Sequence, residues 1–187
     1  DTAALLAVTF ASANTTANAA VTIIGGAGNY TLSGSAAAVN VDTISGGAGD
    51  DTIRGGSGAD ILDGGTGTAD VLDYADVTVA TSHSLTNISG MAINLSAASV
   101  TQSTIATAMG GTVVIGGGAG VAGDALAAGS VGYLATTAAN STAAMVRDTV
   151  TGFEKVIGSD LKDYIVGSAT ADTIDAGTGA DYMTGGS

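Results

Sequence analysis

The stretch GGAGDDTIR at 46–54 runs directly into GGSGADILD at 55–63, so two nine-residue units stand side by side with glycine and aspartate in matching places. GGTGTADVLD at 64–73 continues the pattern with one extra residue. Near the end of the chain the pattern returns as GSDLKDYIV, GSATADTID and AGTGADYMT at 158–166, 167–175 and 176–184. A short fixed period of this kind indicates a solenoid, in which each unit packs only against its neighbours.

The spacing of the aspartates is the sharpest feature of the repeat. They stand nine residues apart, or ten where the extra residue lies, and an aliphatic residue or Met follows each one two positions later. The pairs are Asp42/Ile44, Asp51/Ile53, Asp60/Leu62, Asp70/Leu72, Asp163/Ile165, Asp172/Ile174 and Asp181/Met183.

The composition of the 187 residues predicts a thin core that needs extra stabilisation. Leu, Ile, Val and Phe sum to only 40 residues, and cysteine is absent, which excludes disulfides and thiolate metal sites. Of the 17 acidic residues 16 are Asp, and the formal net charge is −13. Nucleic acid is therefore excluded as a partner, and no apolar stretch approaches the ~20 residues of a transmembrane segment.

The pattern GGxGxDxUx, where U is a large apolar residue, resembles the haemolysin-type repeats of the repeats-in-toxin (RTX) family over 42–73 and 158–187. The resemblance implies an all-β fold, a right-handed parallel β-roll that is a calcium-binding β-solenoid. In that roll GGxGxD is a calcium-binding turn, xUx is a short strand, and two units make one coil. Several Ca²⁺ ions are the implied cofactor.

The residue types suit calcium on physical grounds as well. Glycine lets carbonyl groups point at a cation, and Asp supplies a hard, short anionic oxygen where Glu would overreach. Coils stacked about 4.8 Å apart would leave an ion midway at about 2.4 Å from ligands on each, which fits Ca²⁺ better than Mg²⁺.

The resemblance places metal ligands at the first, third and sixth positions of the turns. These are Gly46, Ala48, Asp51, Gly55, Ser57, Asp60, Gly64, Thr66, Asp70, Asp42, Asp124, Gly158, Asp163, Gly167, Asp172, Ala176, Thr178 and Asp181. Asp51, Asp60, Asp70 and Asp181 lie in the better-formed turns. Asn40, Leu161 and Thr170 replace the third glycine, so we expect the turns of Asp42, Asp163 and Asp172 to bind weakly or only to shape the coil.

The rest of the chain is predicted to extend or interrupt the roll. We assign 1–41 to a β-rich segment with degenerate repeats, in which Tyr30 stands where Asp belongs. Residues 74–157 form an irregular insertion with short strands at 91–95 and 113–115, a short helix from Ser96 to about Met109, and a degenerate repeat at 117–127 that contains Asp124. Residues 148–158 resemble the lead-in that restarts a repeat block in the RTX family.

The sequence gives less support for a catalytic site than for a calcium-binding repeat. The GxGxxG spacing at 118–123 lacks the alternating strand and helix pattern of a dinucleotide-binding domain. The single His83 excludes multi-histidine metal centres within the chain, and pairs such as Asp60/Asp63 follow the repeat rather than a glycosidase arrangement. We therefore expect no enzymatic activity from these residues.

The resemblance implies a calcium-dependent structural module of a bacterial protein exported by type I secretion and located at the cell surface. The Ala-, Thr- and Gly-rich composition favours a self-assembling surface-layer protein, with further copies of the chain and a cell-surface polysaccharide as partners. The alternatives are the C-terminal calcium-binding roll of a secreted metalloprotease or lipase, and an RTX toxin or adhesin.

Overall fold

The computed structural model describes residues 9–11, 20–35, 40–77, 88–110, 114–115, 125–135, 148–170 and 172–186. Within these ranges the chain forms many short strands and one helix. The strands are β1 Thr9–Ala11, β2 Thr22–Ile24, β3 Thr31–Ser33, β4 Thr43–Ser45, β5 Thr52–Arg54, β6 Ile61–Asp63, β7 Val71–Asp73, β8 Ile88–Asn94, β9 Val100–Thr101, β10 Val114–Ile115, β11 Ala125–Leu126, β12 Ser130–Ala135, β13 Asp148–Thr151, β14 Lys155–Ile157, β15 Tyr164–Val166, β16 Thr173–Asp175 and β17 Tyr182–Thr184. The helix is α1, Gln102–Ala108.

Two sheets carry the repeats. The first sheet has the order β1-β3-β5-β7-β14-β16, and every neighbouring pair in it is parallel. The second sheet has the order β2-β4-β6-β13-β12-β8-β15-β17. Successive repeats alternate between the sheets, so two units complete one coil. The prediction of a parallel β-roll is confirmed.

The core of the roll is a ladder of inward-facing aliphatic side chains. Most three-residue strands bury their middle residue between more exposed neighbours, as the alternating direction of side chains in a strand requires. In the first sheet Leu32, Ile53, Leu72 and Val156 pair in register, and each is at most 1% exposed. The U position of the repeat therefore supplies the core.

The insertion widens only one of the two sheets. The strands β12 and β8 pair with each other in antiparallel fashion and lie between β13 and β15 of the second sheet. In the first sheet, by contrast, β14 pairs directly with β16. The strand β13 pairs with β6, and β14 pairs with β7, so β13 and β14 form the next coil of the stack. The described residues from 148 onward therefore lie in the roll.

A second apolar cluster covers the outer face of the second sheet. Ile105 of α1 packs with Ile115, Leu126 and Leu134, each of which is fully buried. Tyr164 and Val166, which flank the inward-facing residue of β15, join this cluster. The strands β8 and β12 are thus buried on both faces, and the side chains of both faces are mostly apolar.

The helix begins later than the predicted Ser96. The side-chain oxygen of Asn94 accepts hydrogen bonds from the N–H and the Oγ–H of Ser96, and the Asn94 amide nitrogen donates to the carbonyl of Ala98. These bonds hold 94–98 in a polar turn that competes with helix formation. Thr101 is the N-cap and accepts from the amide of Thr104.

Substitutions at inward-facing residues of the coils are expected to lower the free energy of unfolding more than substitutions at outward-facing residues. We expect Ile53→Ala, at a side chain that is 0% exposed, to lower the free energy of unfolding by about 2–5 kcal/mol, because the cavity cannot refill between stacked coils. Ile24→Ala is the matched control, since Ile24 is 76% exposed, and we expect it to change stability by less than about 0.5 kcal/mol. Chemical denaturation with calcium present measures both; similar losses would contradict the coil geometry.

Candidate metal centre

The turns between the strands stack in two rows, one on each side of the roll. Row 1 contains the turns 25–30, 46–51, 64–70, 152–154 and 167–172. Row 2 contains the turns 34–42, 55–60, 158–163 and 176–181. Amides of one turn donate to carbonyls of its neighbour, as Ala48 does to Gly26 in row 1 and Ser57 does to Ser35 in row 2. The stacking places equivalent residues of successive coils one above another.

Most turn carboxylates use one oxygen to hold the preceding coil. In row 1 Asp51 Oδ1 accepts the amide of Tyr30 at 2.8 Å, and Asp70 Oδ1 accepts the amide of Asp51 at 2.7 Å. In row 2 Asp60 Oδ1 accepts the amide of Asp42 at 2.9 Å. We call this chain of contacts the acidic ladder. Its regularity follows from the repeat, because the same atom meets the same amide one coil away.

Two residues that the ligand prediction missed complete the acidic ladder. Asp148 Oδ1 accepts the amide of Asp60 at 2.9 Å, and Glu154 Oε2 accepts the amide of Asp70 at 3.0 Å. The signal was present in the sequence, because Val150 and Val156 follow them by two positions as in the repeat. Glu154 stands where Asp was expected, since its turn spans only 152–154 and a longer side chain reaches the same amide.

The ladder resumes after the inserted strands. Asp163 Oδ1 accepts the amide of Met91 in β8 at 2.7 Å, and Asp181 Oδ1 accepts the amide of Asp163 at 2.9 Å. Met91 therefore occupies the place that the aspartate of a preceding coil would take. The insertion supplies a backbone amide to the ladder and no carboxylate.

The second carboxylate oxygen separates the turns into two kinds. Asp51 Oδ2 and Asp60 Oδ2 are buried and have no hydrogen-bond partner, and Ser57 Oγ is in the same state. Asp51 and Asp60 are 0% and 1% exposed. A buried carboxylate oxygen without a partner is costly unless a cation or a donor compensates it. We call 46–51 and 55–60 the open turns.

Glycine makes room for a cation beside these oxygens. A Cβ on Gly46 would overlap both Asp51 Oδ2 and the carbonyl oxygen of Gly64, so these two oxygens converge on the bare Cα. A Cβ on Gly55 would lie 2.7 Å from Asp60 Oδ2 and 3.4 Å from Asp148 Oδ2. Carboxylate and carbonyl oxygens gathered in this way are the ligands that Ca²⁺ prefers, so the open turns fit the ion.

In three further turns a backbone amide donates a hydrogen bond to the second carboxylate oxygen. The amides of Ser35, Ser159 and Ser168 donate to Oδ2 of Asp42, Asp163 and Asp172 at 2.5, 2.6 and 2.6 Å. We call these three the closed turns. Asp70 Oδ2 accepts from the amide of Gly67 at 3.0 Å within the ten-residue unit. The three closed turns are the ones expected to bind weakly, but Asp70, which was expected in a better-formed turn, has a paired second oxygen as well.

The remaining predicted ligands lie as follows. Ala48, Ser57 and Thr66 donate their amides to carbonyls of the preceding coil, and the Thr178 hydroxyl lies 3.4 Å from Asp160. The carbonyl of Ala176 faces Gly158, and Gly167 faces Asp172 Oδ2. Asp124 lies outside the described residues, as do the GxGxxG segment and His83. Within the described ranges no cluster of three or more His, Cys, Asp or Glu side chains forms a metal cage, so the candidate sites consist of turn carboxylates and carbonyls.

Burial dominates the electrostatics of row 2. Burial, together with the neighbouring Asp148 carboxylate, raises the pKa of Asp60 to about 8. Burial likewise raises the pKa of Asp148 to about 6, although the Tyr74 hydroxyl donates to its Oδ2 at 2.6 Å. In row 1 burial also raises the pKa of Asp51. The protein alone does not compensate these negative charges.

The raised values predict the pH dependence of the metal-free chain. A folded-state pKa above the unfolded value of about 3.9 stabilises the fold at low pH, and this stability is lost as the pH rises. We expect the free energy of unfolding in EDTA to fall between about pH 4 and about pH 8, the interval set by Asp60. Urea denaturation followed by circular dichroism measures it.

Asp60→Asn is the control for that prediction, because it removes the ionisation and keeps an oxygen for the Asp42 amide. The difference in slope between the wild type and this variant isolates the contribution of Asp60. Identical slopes would contradict the assignment.

The comparisons agree with this geometry. The model of the RTX calcium-binding nonapeptide repeat matches residues 40–68 and 157–187 with four copies. No curated protein and no solved structure matches the chain. The matched ranges contain both open turns and the closed turns 158–163 and 167–172. Residues 40–68 and 157–187 therefore carry RTX calcium-binding nonapeptide repeats.

Proposed function

We propose that calcium binding at the open turns completes the folding of the roll, and that the module serves in a self-assembling bacterial surface layer. The proposal rests first on Asp51 Oδ2 and Asp60 Oδ2, two buried carboxylate oxygens with no partner in a glycine-lined space. Ca²⁺ supplies the positive charge that no described side chain provides there. The RTX repeats support a calcium-binding structural module of the kind found in secreted proteins.

Calcium would act as a switch between an open and a folded chain. Without the ion, the buried carboxylates repel one another across about one coil spacing, and the thin aliphatic ladder must stabilise the roll alone. With the ion in 100-fold excess over Kd, each site adds about 2.7 kcal/mol to the stability. A chain of this kind can cross a membrane unfolded where calcium is scarce and fold outside the cell.

The same contacts favour a structural role over catalysis. The aspartates that recur in the described turns accept hydrogen bonds from ladder or turn amides, and their positions are periodic. The longest described helix is too short to span a bilayer. We therefore propose that residues 1–187 have no enzymatic activity of their own. A zinc motif or a nucleophile elbow elsewhere in the same gene would favour the alternative, the roll of a secreted enzyme.

Assembly is the finer part of the proposal. The Ala-, Thr- and Gly-rich composition supports contacts between copies of the chain. Cell-surface polysaccharide remains a further proposed partner.

The calcium assignment is tested by paired substitutions. We expect Asp60→Ala to raise the calcium concentration needed for folding by at least about tenfold, because it removes a ligand and a ladder contact together. Asp76→Ala is the control, since Asp76 is exposed at the end of the roll block and belongs to no turn of the two rows. Circular dichroism during calcium titration measures both. Equal effects of the two variants would refute the site.

The assembly proposal is tested by sedimentation. We expect analytical ultracentrifugation to show oligomers with calcium and monomers without it. A monomer at all calcium concentrations would refute assembly by this segment.

A further inference from the structure

The second residue of each turn distinguishes the open turns from the closed turns. In the open turns this residue is Gly47 or Gly56, with φ of 101° and 85°. In the closed turns it is Ser35, Ser159 or Ser168. A residue with a Cβ rarely adopts such positive φ values, so serine forces a different backbone path at this point.

That path turns the serine amide toward the carboxylate. The amides of Ser159 and Ser168 each donate to Oδ2 of the turn aspartate at 2.6 Å. Their hydroxyls donate to Oδ1 of the same aspartates, at 2.7 and 2.8 Å. Ser168 thus gives both oxygens of Asp172 a donor, and in 158–163 Asp163 Oδ1 receives the Ser159 hydroxyl in addition to the Met91 amide. Charge-assisted bonds of this kind stabilise a carboxylate strongly.

We propose that serine at the second turn position replaces the calcium ion, so that 158–163 and 167–172 form without metal while 46–51 and 55–60 require it. This inference rests on the proposed function, because it names the residue that decides which turns take the ion. A donated N–H and O–H compensate the carboxylate where glycine leaves an oxygen without a partner.

The position of the closed turns in the fold supports the same division. The closed turns 158–163 and 167–172 flank β15, whose Tyr164 and Val166 pack into the second apolar cluster under α1. Lys162 Nζ donates to the carbonyl of Met109 at the end of that helix. The coil that needs no ion is therefore also the coil that the insertion holds by apolar contacts.

The gain of a site is the direct test. Ser168→Gly with Thr170→Gly changes 167–172 from GSATAD to GGAGAD, which has the pattern of the open turn 46–51. We expect isothermal titration calorimetry on the full chain to show an additional calcium-binding event. Ser168→Ala with Thr170→Ala is the matched control, because it removes the hydroxyl and keeps the Cβ; we expect no additional event. No gain in the glycine variant, with the wild type still binding calcium, would overturn the inference.

Hydrogen exchange in EDTA tests whether the closed turns 158–163 and 167–172 form without metal. We expect peptides covering 158–172 to remain protected without calcium, whereas peptides covering 46–60 gain protection only when the ion is added. Loss of protection in 158–172 to the same extent as in 46–60 would overturn the inference. A wild-type chain that binds no calcium would refute the proposed function instead, and protection of 158–172 would still decide whether the closed turns form without metal.

Discussion

The structure depends on one repeated hydrogen bond, from a backbone amide to the carboxylate oxygen of the next coil. Asp60 holds Asp42 in this way, and Asp148 holds Asp60. Because the acceptor is charged and buried, the contact sets the distance and the register between coils at the turns, where no strand pairing exists. It also leaves the other oxygen of each carboxylate pointing into the turn. The unpartnered second oxygens of Asp51 and Asp60 are thus a consequence of the contact that stacks the coils.

The inserted strands show how far this arrangement can be modified. β8 and β12 enter the second sheet only, and the first sheet continues without a break from β7 through β14 to β16. The acidic ladder passes the insertion through Asp148 on one side and restarts from the Met91 amide on the other. A roll tolerates such an insertion because each coil contacts only its neighbours. A segment that takes the place of a coil therefore has to supply only an amide for the ladder and an apolar surface.

The fold shows where part of the net charge of −13 is located. Part of it lies in rows of buried carboxylates, where burial raises the pKa of Asp51, Asp60, Asp148 and Asp163. Serine amides compensate some of these groups, and Gly67 compensates Asp70. The open turns keep an uncompensated oxygen. A cation there would neutralise charge at the points where the chain has no donor of its own.

The nine-residue spacing of the aspartates and the aliphatic residues was by itself sufficient to show that the chain is built from repeats, because such a period can be read along the sequence. The turns, the short strands and the parallel roll were expected from the resemblance of this pattern to the RTX repeats. The roles of Asp148 and Glu154 depended on tertiary structure, since their ladder partners lie 88 and 84 residues away along the chain. The late start of α1 came from the Asn94–Ser96 contacts, which compete with the cap signal at Ser96. Which carboxylates remain open was likewise decided only in three dimensions, because it depends on whether an amide of the folded turn points at the second oxygen.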